Sequence, residues 1–249
     1  MAAPTKYIQA THEHAVTFSV CSLVRDVDRY DVLLESFEKF GFTTANSEFF
    51  AADNREVNQF DGYNWHKRMH TECSGEYIIY CHEDVELIGD GFDDLVARLR
   101  ELEEHDPRWL VAGVAGAAWR VDNGESRRQI LHISDGYGND RLKGVHPGRV
   151  ESLDECFLVV RRDRPVFGSY DLSGFHYYGA DLCFSAELAG GTAYAIDFHL
   201  KHHGESRRGP PFRQCRRAFA QKYSKIYPGR LMYCTTGPVQ FGGGWYDLV

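Results

Sequence analysis

Apolar and polar positions in the first half of the chain switch between strand and helix periods. Val16–Val24 is a run of β-branched and aromatic residues that ends in the polar loop Arg25–Asp28, which predicts a strand. Asp28 then reads as the cap of a helix whose apolar positions Leu33, Phe37 and Phe40 fall at i, i+4 and i+7, closed by Gly41. Glu48–Ala52 predicts a second strand that stops at Asp53–Asn54, and 58–72 a polar helix. Tyr77–Cys81 is unbroken apolar, the pattern of a strand covered on both faces, and it stops at His82-Glu83-Asp84. Phe92, Leu95, Val96, Leu99 and Leu102 mark one face of a helix, after which Trp109–Ala118 returns to strand.

This alternation is that of an α/β protein, an open, mostly parallel sheet flanked by helices. Ligands of such sheets bind outside the carboxyl ends of the strands, which puts Arg25–Asp28, Asp53–Asn54 and His82–Asp84 on one edge. The second half is less regular. Residues 119–150 read as loops around a short strand, Gln129–Ile133. Further strands fit Cys156–Arg162 and Thr192–His202, with a helix over Asp181–Ala189 stopped by Gly190-Gly191. Gly204–Pro211 is a hinge-like loop before a helix carrying Phe212, Cys215, Phe219 and Tyr223. The expected organisation is a flexible arm over 1–14 and one domain over 15–249. That domain divides into a nucleotide-binding half (15–118), an acceptor and catalytic half (119–205), and a C-terminal loop, helix and tail (206–249).

Composition narrows the class. With 249 residues and 43% hydrophobic positions, the chain can bury about 70–75% of its extended surface, so general disorder is excluded. No apolar run approaches the roughly 20 residues of a membrane span, and the N-terminal segment has no apolar core of a secretion signal. Seven cysteines without a pairing pattern suggest reduced thiols and a cytoplasmic setting. The balance of 28 basic to 36 acidic residues, a net −8, speaks against nucleic acid as a partner. That charge is uneven: carboxylates end the early strands, while Arg207, Arg208, Arg213, Arg216 and Arg217 gather in one stretch.

Four segments carry candidate chemistry. Adjacent carboxylates at Glu83 and Asp84, after a buried strand, suit a hard divalent ion shared with phosphate oxygens, or simply a solvated turn. Asp181, following the polar-tipped aromatics of Phe175–Tyr178, suits a general base or a helix cap worth about 1 kcal/mol. Of His202 and His203, only one can face a site if both lie on a strand. Arginine forks beside a Gly/Pro loop suit a diphosphate, or a solvated helix face. Cys73, Cys81 and His82 lack zinc-ligand spacing, and neither a phosphate loop nor a GxGxxG fingerprint occurs.

The order of these segments resembles the family 2 glycosyltransferases, which have the GT-A fold, and most closely a small bacterial subgroup with an H-(E/Q)-D-V motif, here His82-Glu83-Asp84-Val85. The likeness runs over about residues 16–205 through Gly113–Ala117, Asp154–Arg162, Phe175–Asp181 and the late histidines. It implies a metal-dependent, inverting transfer of a sugar from a nucleotide-diphospho-sugar, a UDP-sugar by preference, to an acceptor hydroxyl. Asp84 would ligate Mn²⁺ or Mg²⁺ with His202 or His203, His202 being preferred because it stands two residues before Gly204. Asp181 would be the base. Ser22, Arg25, Asp53, Glu83, Arg207 and Arg208 would border the donor, with Asp53 reading the nucleotide base. Trp119, Glu155, Tyr177 and Tyr178 would border the acceptor. His82 and Ala180 replace an aspartate and a glutamate of the family pattern, which leaves open a non-catalytic sugar-nucleotide-binding protein. A nucleotidyltransferase would need a glycine-rich loop where Ser22–Asp26 has no glycine. A homodimer stays open; contact with nucleic acid or the membrane interior is not expected.

Overall fold

The run Tyr77–Cys81 is apolar throughout because it lies in the middle of a sheet with a hydrophobic cluster on either face. Ile78 and Tyr80 enter one cluster and Ile79 and Cys81 the other, as the two-residue strand period requires. Leu158 and Val160 divide from Phe157 and Val159 in the same way. Each aliphatic side chain so withdrawn from water contributes about 1.5–3 kcal/mol. The computed structural model describes residues 5, 7, 10, 13–120, 126–204 and 208–242. Most of the expected arm and the Gly-rich tail from 243 onward lie outside the described residues.

In chain order the elements are β1 (Val16–Val24), α1 (Val27–Lys39), β2 (Ser47–Asp53), α2 (Trp65–Glu72), β3 (Gly75–His82), β4 (Val85–Leu87) and α3 (Phe92–His105). Then come β5 (Trp109–Gly113), β6 (Ala115–Arg120), β7 (Ser126–Ser134), β8 (Asp140–Lys143), β9 (Gly148–Arg149), β10 (Ser152–Leu153) and β11 (Phe157–Arg161). The chain continues with α4 (Tyr178–Leu188), β12 (Thr192–Ala195), β13 (Leu200–His202), α5 (Pro210–Ser224), β14 (Leu231–Cys234) and β15 (Gly237–Gln240). The central sheet has the order β2-β1-β3-β11-β5-β12-β9, and a second sheet runs β10-β6-β7-β13-β4 with β8 paired to β7. The α/β class stands. The central sheet is mixed, because β11 enters antiparallel between β3 and β5, while β1–β2, β1–β3 and β5–β12 are parallel.

Two segments that read as single strands each divide between the sheets. Trp109–Ala118 becomes β5 and β6, and Thr192–His202 becomes β12 and β13. Gly113 and Gly116 mark the first division. A Cβ on Gly113 would stand 2.9 Å from the Phe157 carbonyl oxygen, and one on Gly116 2.8 Å from that of Ser152, so only glycine allows the backbones to approach. Both halves are apolar, so the hydrophobic pattern alone cannot show the turn. Likewise the stretch 119–150 contains, beside the expected Gln129–Ile133 strand, the longer β7 with β8 and β9.

Helix starts also shift. The cap of α1 is Asp26, whose carboxylate accepts the Arg29 N–H at 3.3 Å; Asp28 stands in the first turn, where its charge meets the helix dipole. The expected helix over 58–72 forms only from Trp65. Before it, Asn54 brackets Phe60 with two hydrogen bonds, and Asp61 accepts the N–H groups of Tyr63 and Asn64. Such side-chain bonds offer the backbone an alternative to the helix. No helix among the described residues is long and apolar enough to cross a membrane.

Candidate active site

Three side chains from three chain segments converge at the end of β3. His82 is its last residue, Asp84 lies in the turn to β4, and His202 ends β13. The antiparallel pairing of β13 with β4 sets His202 opposite Val85 and so beside Asp84. His82 Nδ1 lies 3.2 Å from His202 Nε2, and Asp84 Oδ1 lies 3.3 Å from His202 Nε2 and 4.0 Å from His82 Nδ1. His203, just past the end of β13, turns away onto Glu86 at 2.8 Å. Thus His202 joins the cluster and His203 does not.

The charges of this cluster support one another. Burial alone would raise the Asp84 carboxyl, but the hydrogen bond and charge of His202, with His82 and Arg29, hold it down at about 2. Asp84 is 12% exposed and meets the Arg29 guanidinium through Oδ2 at 3.4 Å. Burial, then the neighbouring His202, lowers His82 to about 4. His202 is raised because its bond and attraction to Asp84 outweigh its burial. Gly204 completes the arrangement: a Cβ there would stand 2.7 Å from His202 Nε2 and 2.9 Å from Asp84 Oδ2. The missing side chain therefore leaves open space against the ligand atoms, and a set of two imidazoles and a carboxylate fits a divalent ion.

Beside the cluster lies a cavity of about 190 Å³, lined among others by His82, Asp154, Glu155, His176, Tyr177 and His202. Its wall contains Tyr177 at φ 68°, a left-handed conformation that costs a non-glycine residue about 1–3 kcal/mol. The Tyr63 hydroxyl holds this segment by donating to the His176 carbonyl at 2.7 Å. Burial, followed by the charge of Asp154, pushes the Glu155 carboxyl up to about 8, against hydrogen bonds from the backbone that include the Tyr177 and Gly179 N–H groups at the start of α4.

Other expected site residues stand elsewhere. Asp181 does not line the cavity. It is 0% exposed, and it accepts the Ser169 N–H and hydroxyl and the Tyr223 hydroxyl, each at 2.7 Å. In this geometry the carboxylate ties α4 to α5 and to the turn at Ser169 rather than facing a substrate; burial raises its pKa. Ser22 is buried in the sheet against Cys81 at 3.4 Å, so its hydroxyl does not reach a donor. Glu83 is taken up by the β1–α1 loop, where it accepts the N–H groups of Arg25 and Asp26 at 2.6 and 2.9 Å. Arg25 is exposed, and with Asp26, Arg29 and Glu83 it borders an open hollow of about 560 Å³. Asp53 is paired with Arg55 at 2.9 Å at the end of β2. Trp119 donates its backbone N–H to Glu151 and packs near Tyr233, and it is not among the residues that line the cavity. Tyr178 is buried and meets His82 Nε2 through its hydroxyl at 2.9 Å. Arg208 is exposed before α5. Arg207 lies outside the described residues.

The sequence reading missed Arg29, Asp154 and His176. Arg29 was legible in principle, as a cation in the first turn of the helix after the first strand; Asp154 and His176 lie in segments that the sequence pattern marked without singling them out.

Among solved structures, the chain shares its fold with glycosyltransferases. The mannosyltransferase PcManGT from Pyrobaculum calidifontis, in complex with GDP-Man and Mn²⁺, superimposes with a TM-score of 0.54 at 10% identity, over 88% of this chain and 66% of that one. S. aureus TarS superimposes with a TM-score of 0.50 at 13% identity, over 82% of this chain and 39% of that one. The chain therefore spans about 66% and 39% of those two proteins, respectively. No family model matches it. It is 60% identical over 241 residues, 97% of both chains, to "ATP synthase subunits region ORF 6" of Fuscovulum blasticum, and belongs to that protein's family.

Proposed function

We propose that this protein is a metal-dependent, inverting glycosyltransferase that moves a sugar from a nucleotide-diphospho-sugar to an acceptor hydroxyl. The observation that carries the reading is the convergence of His82, Asp84 and His202 beside a half-open cavity, on the edge of a sheet shared in fold with nucleotide-sugar enzymes. His202 and Asp84 would hold the ion, and a divalent cation there supplies Lewis-acid neutralisation of the leaving diphosphate. Arg29, already on Asp84, would turn its remaining donors to the same phosphate oxygens. In this reading residues 15–118 bind the nucleotide, with Arg25, Asp53 and Arg208 on the donor rim, and residues 119–205 hold the acceptor.

The acceptor's proton needs a carboxylate that faces the cavity. Glu155 does and Asp181 does not, so we assign the general base to Glu155. A carboxyl raised to about 8 is a strong base once ionised, and its ionised fraction, and with it transfer, should grow as pH rises toward 8; general-base catalysis is worth typically 10²–10⁴-fold. The hydroxyl oxygen then attacks the anomeric carbon opposite the diphosphate, its proton passes to Glu155, and the bond to the diphosphate oxygen breaks.

The test is a thermal-shift panel of GDP, UDP and their sugars, with and without Mn²⁺, followed by transfer assays. One nucleotide at 100 times its Kd should add about 2.7 kcal/mol of stability, and only with the metal. Asp84→Ala and Glu155→Gln should then lose transfer while staying folded. Full transfer in both folded variants would sink the assignment; tight nucleotide binding with no turnover on any acceptor would mark a binding module instead.

A further inference from the structure

We infer that His82 is itself a metal ligand, so the centre is a two-imidazole, one-carboxylate site that takes a transition-metal dication such as Mn²⁺, Co²⁺ or Zn²⁺ and rejects Mg²⁺. The inference uses the proposed function only for the site's place beside a donor. Ligand atoms about 2.1 Å from one ion stand roughly 3.0–3.4 Å apart at tetrahedral or octahedral angles. Two edges of the triangle already do so, at 3.2 Å and 3.3 Å. The third, from His82 to Asp84 at 4.0 Å, closes with a side-chain movement of about half an ångström.

Ring orientation agrees. The planes of His82 and His202 cross at 58°, with centroids 5.2 Å apart, so lone pairs from the two rings can meet at one point. His82 is also set in the tautomer that coordination needs. The Tyr178 hydroxyl donates to the Glu155 carbonyl at 3.4 Å. It is therefore free to accept from His82 Nε2–H at 2.9 Å. A proton on Nε2 leaves the Nδ1 lone pair aimed at His202 and Asp84, the arrangement by which outer-shell groups orient ligating histidines.

Among the described residues, two other groupings of ligand-type residues lack this arrangement. His132, Asp140 and His199 have the same composition, but their rings stack at 4° with centroids 4.2 Å apart. The lone pairs of parallel rings run side by side and never converge on one ion. Asp154, Cys156 and His202 draw on His202 again and place a fully buried sulfur at the third corner. Imidazole nitrogen suits transition-metal dications, whereas Mg²⁺ demands oxygen and holds its water.

The experiment is calorimetric titration of the metal-stripped full chain with MnCl₂, CoCl₂, ZnCl₂ and MgCl₂, beside the visible spectrum of the Co²⁺ form. Wild type should bind Mn²⁺ and Co²⁺ at least tenfold tighter than Mg²⁺, and Co²⁺ should give the visible bands of nitrogen ligation. His82→Asp, an all-oxygen replacement at that corner, should bring the Mn²⁺-to-Mg²⁺ ratio toward one. Tyr178→Phe should weaken Co²⁺ about 10–100-fold while Asp140→Ala leaves it unchanged. Equal affinity for Mg²⁺ and Co²⁺ in wild type, or an unchanged Co²⁺ spectrum and affinity in folded His82→Asp, would overturn the inference. Because these readouts use metal alone, a failure to bind any sugar nucleotide would refute the transferase reading without touching this result.

Discussion

Two clusters in this protein have the same ligand composition and opposite geometry. His82, Asp84 and His202 meet at crossed ring planes over a glycine that leaves open space; His132, Asp140 and His199 present two rings stacked in parallel. In the second cluster the polar edges are already matched by protein. Asp197 meets His132 Nδ1 at 2.6 Å, and the Ser134 hydroxyl meets His199 Nε2 at 2.9 Å. The first cluster uses its nitrogens on one another and on Asp84, around a point an ion can take. The difference teaches that residue types nominate a metal site, while ring orientation and clearance decide it.

The sharpest way to break the comparison is to remove the carboxylate from each cluster. Asp84→Asn is expected to lower Mn²⁺ affinity by roughly 10³-fold, about 4 kcal/mol, beyond the 10–100-fold typical of an outer-shell partner. Asp140→Asn should leave Mn²⁺ binding unchanged by calorimetry. If both substitutions weaken it equally, the two clusters are not distinct in kind.

Acid should undermine the floor of the first cluster next. His66 lies beneath Tyr178 with ring centroids 5.8 Å apart, donates to the Tyr63 carbonyl at 3.4 Å, and is lowered by burial to about 4. The fold holds it neutral, while the unfolded chain protonates it near 6.5. Its contribution is therefore full above about pH 6.5 and is lost as pH falls toward 4, amounting to about 2–3 kcal/mol by pH 4.5. Denaturant unfolding at pH 7.5 and 4.5 checks this: His66→Phe should lose that much less stability between the two values than wild type. Equal losses would assign the acid sensitivity elsewhere.

Smaller effects follow from clearance and from the stacked pair. Gly204→Ala puts a methyl against His202 and Asp84, and should weaken Mn²⁺ about tenfold with the melting temperature little changed, a split that a folding defect would not give. Asp197→Asn removes the charge beside His132 in a partly exposed pair. It should cost about 1 kcal/mol of stability and leave metal affinity alone.

Much of this was legible along the chain. The two-period pattern gave the α/β class, the strand covered on both faces and the polar stops at 25–28, 53–54 and 82–84. The motif His82-Glu83-Asp84-Val85 drew attention to the turn where His82, Asp84 and His202 meet. Yet the positions within it serve differently: Glu83 braces the β1–α1 loop, and His82, read as a substitution that weakens a motif, stands 3.2 Å from His202. Asp181 fitted a base because a carboxylate at a helix start and one in a site look alike in sequence. Only its burial among Ser169 and Tyr223 separates them. Conversely, Glu155 was placed on the acceptor side by position, and its carboxyl became a candidate base only once the cavity wall was closed by α4.

By itself the sequence determined which stretches are buried, their period, and the chemical types available at the strand ends, because these are local consequences of side-chain polarity and backbone propensity. Tertiary structure alone decided that β5 and β12 each hand the chain to a second sheet, that β13 pairs with β4 to set His202 beside Asp84 and turn His203 away, and that one His–Asp–His cluster converges while another stacks. Those outcomes depend on the relative orientation of segments that are distant in sequence, and no periodicity within a segment carries that information.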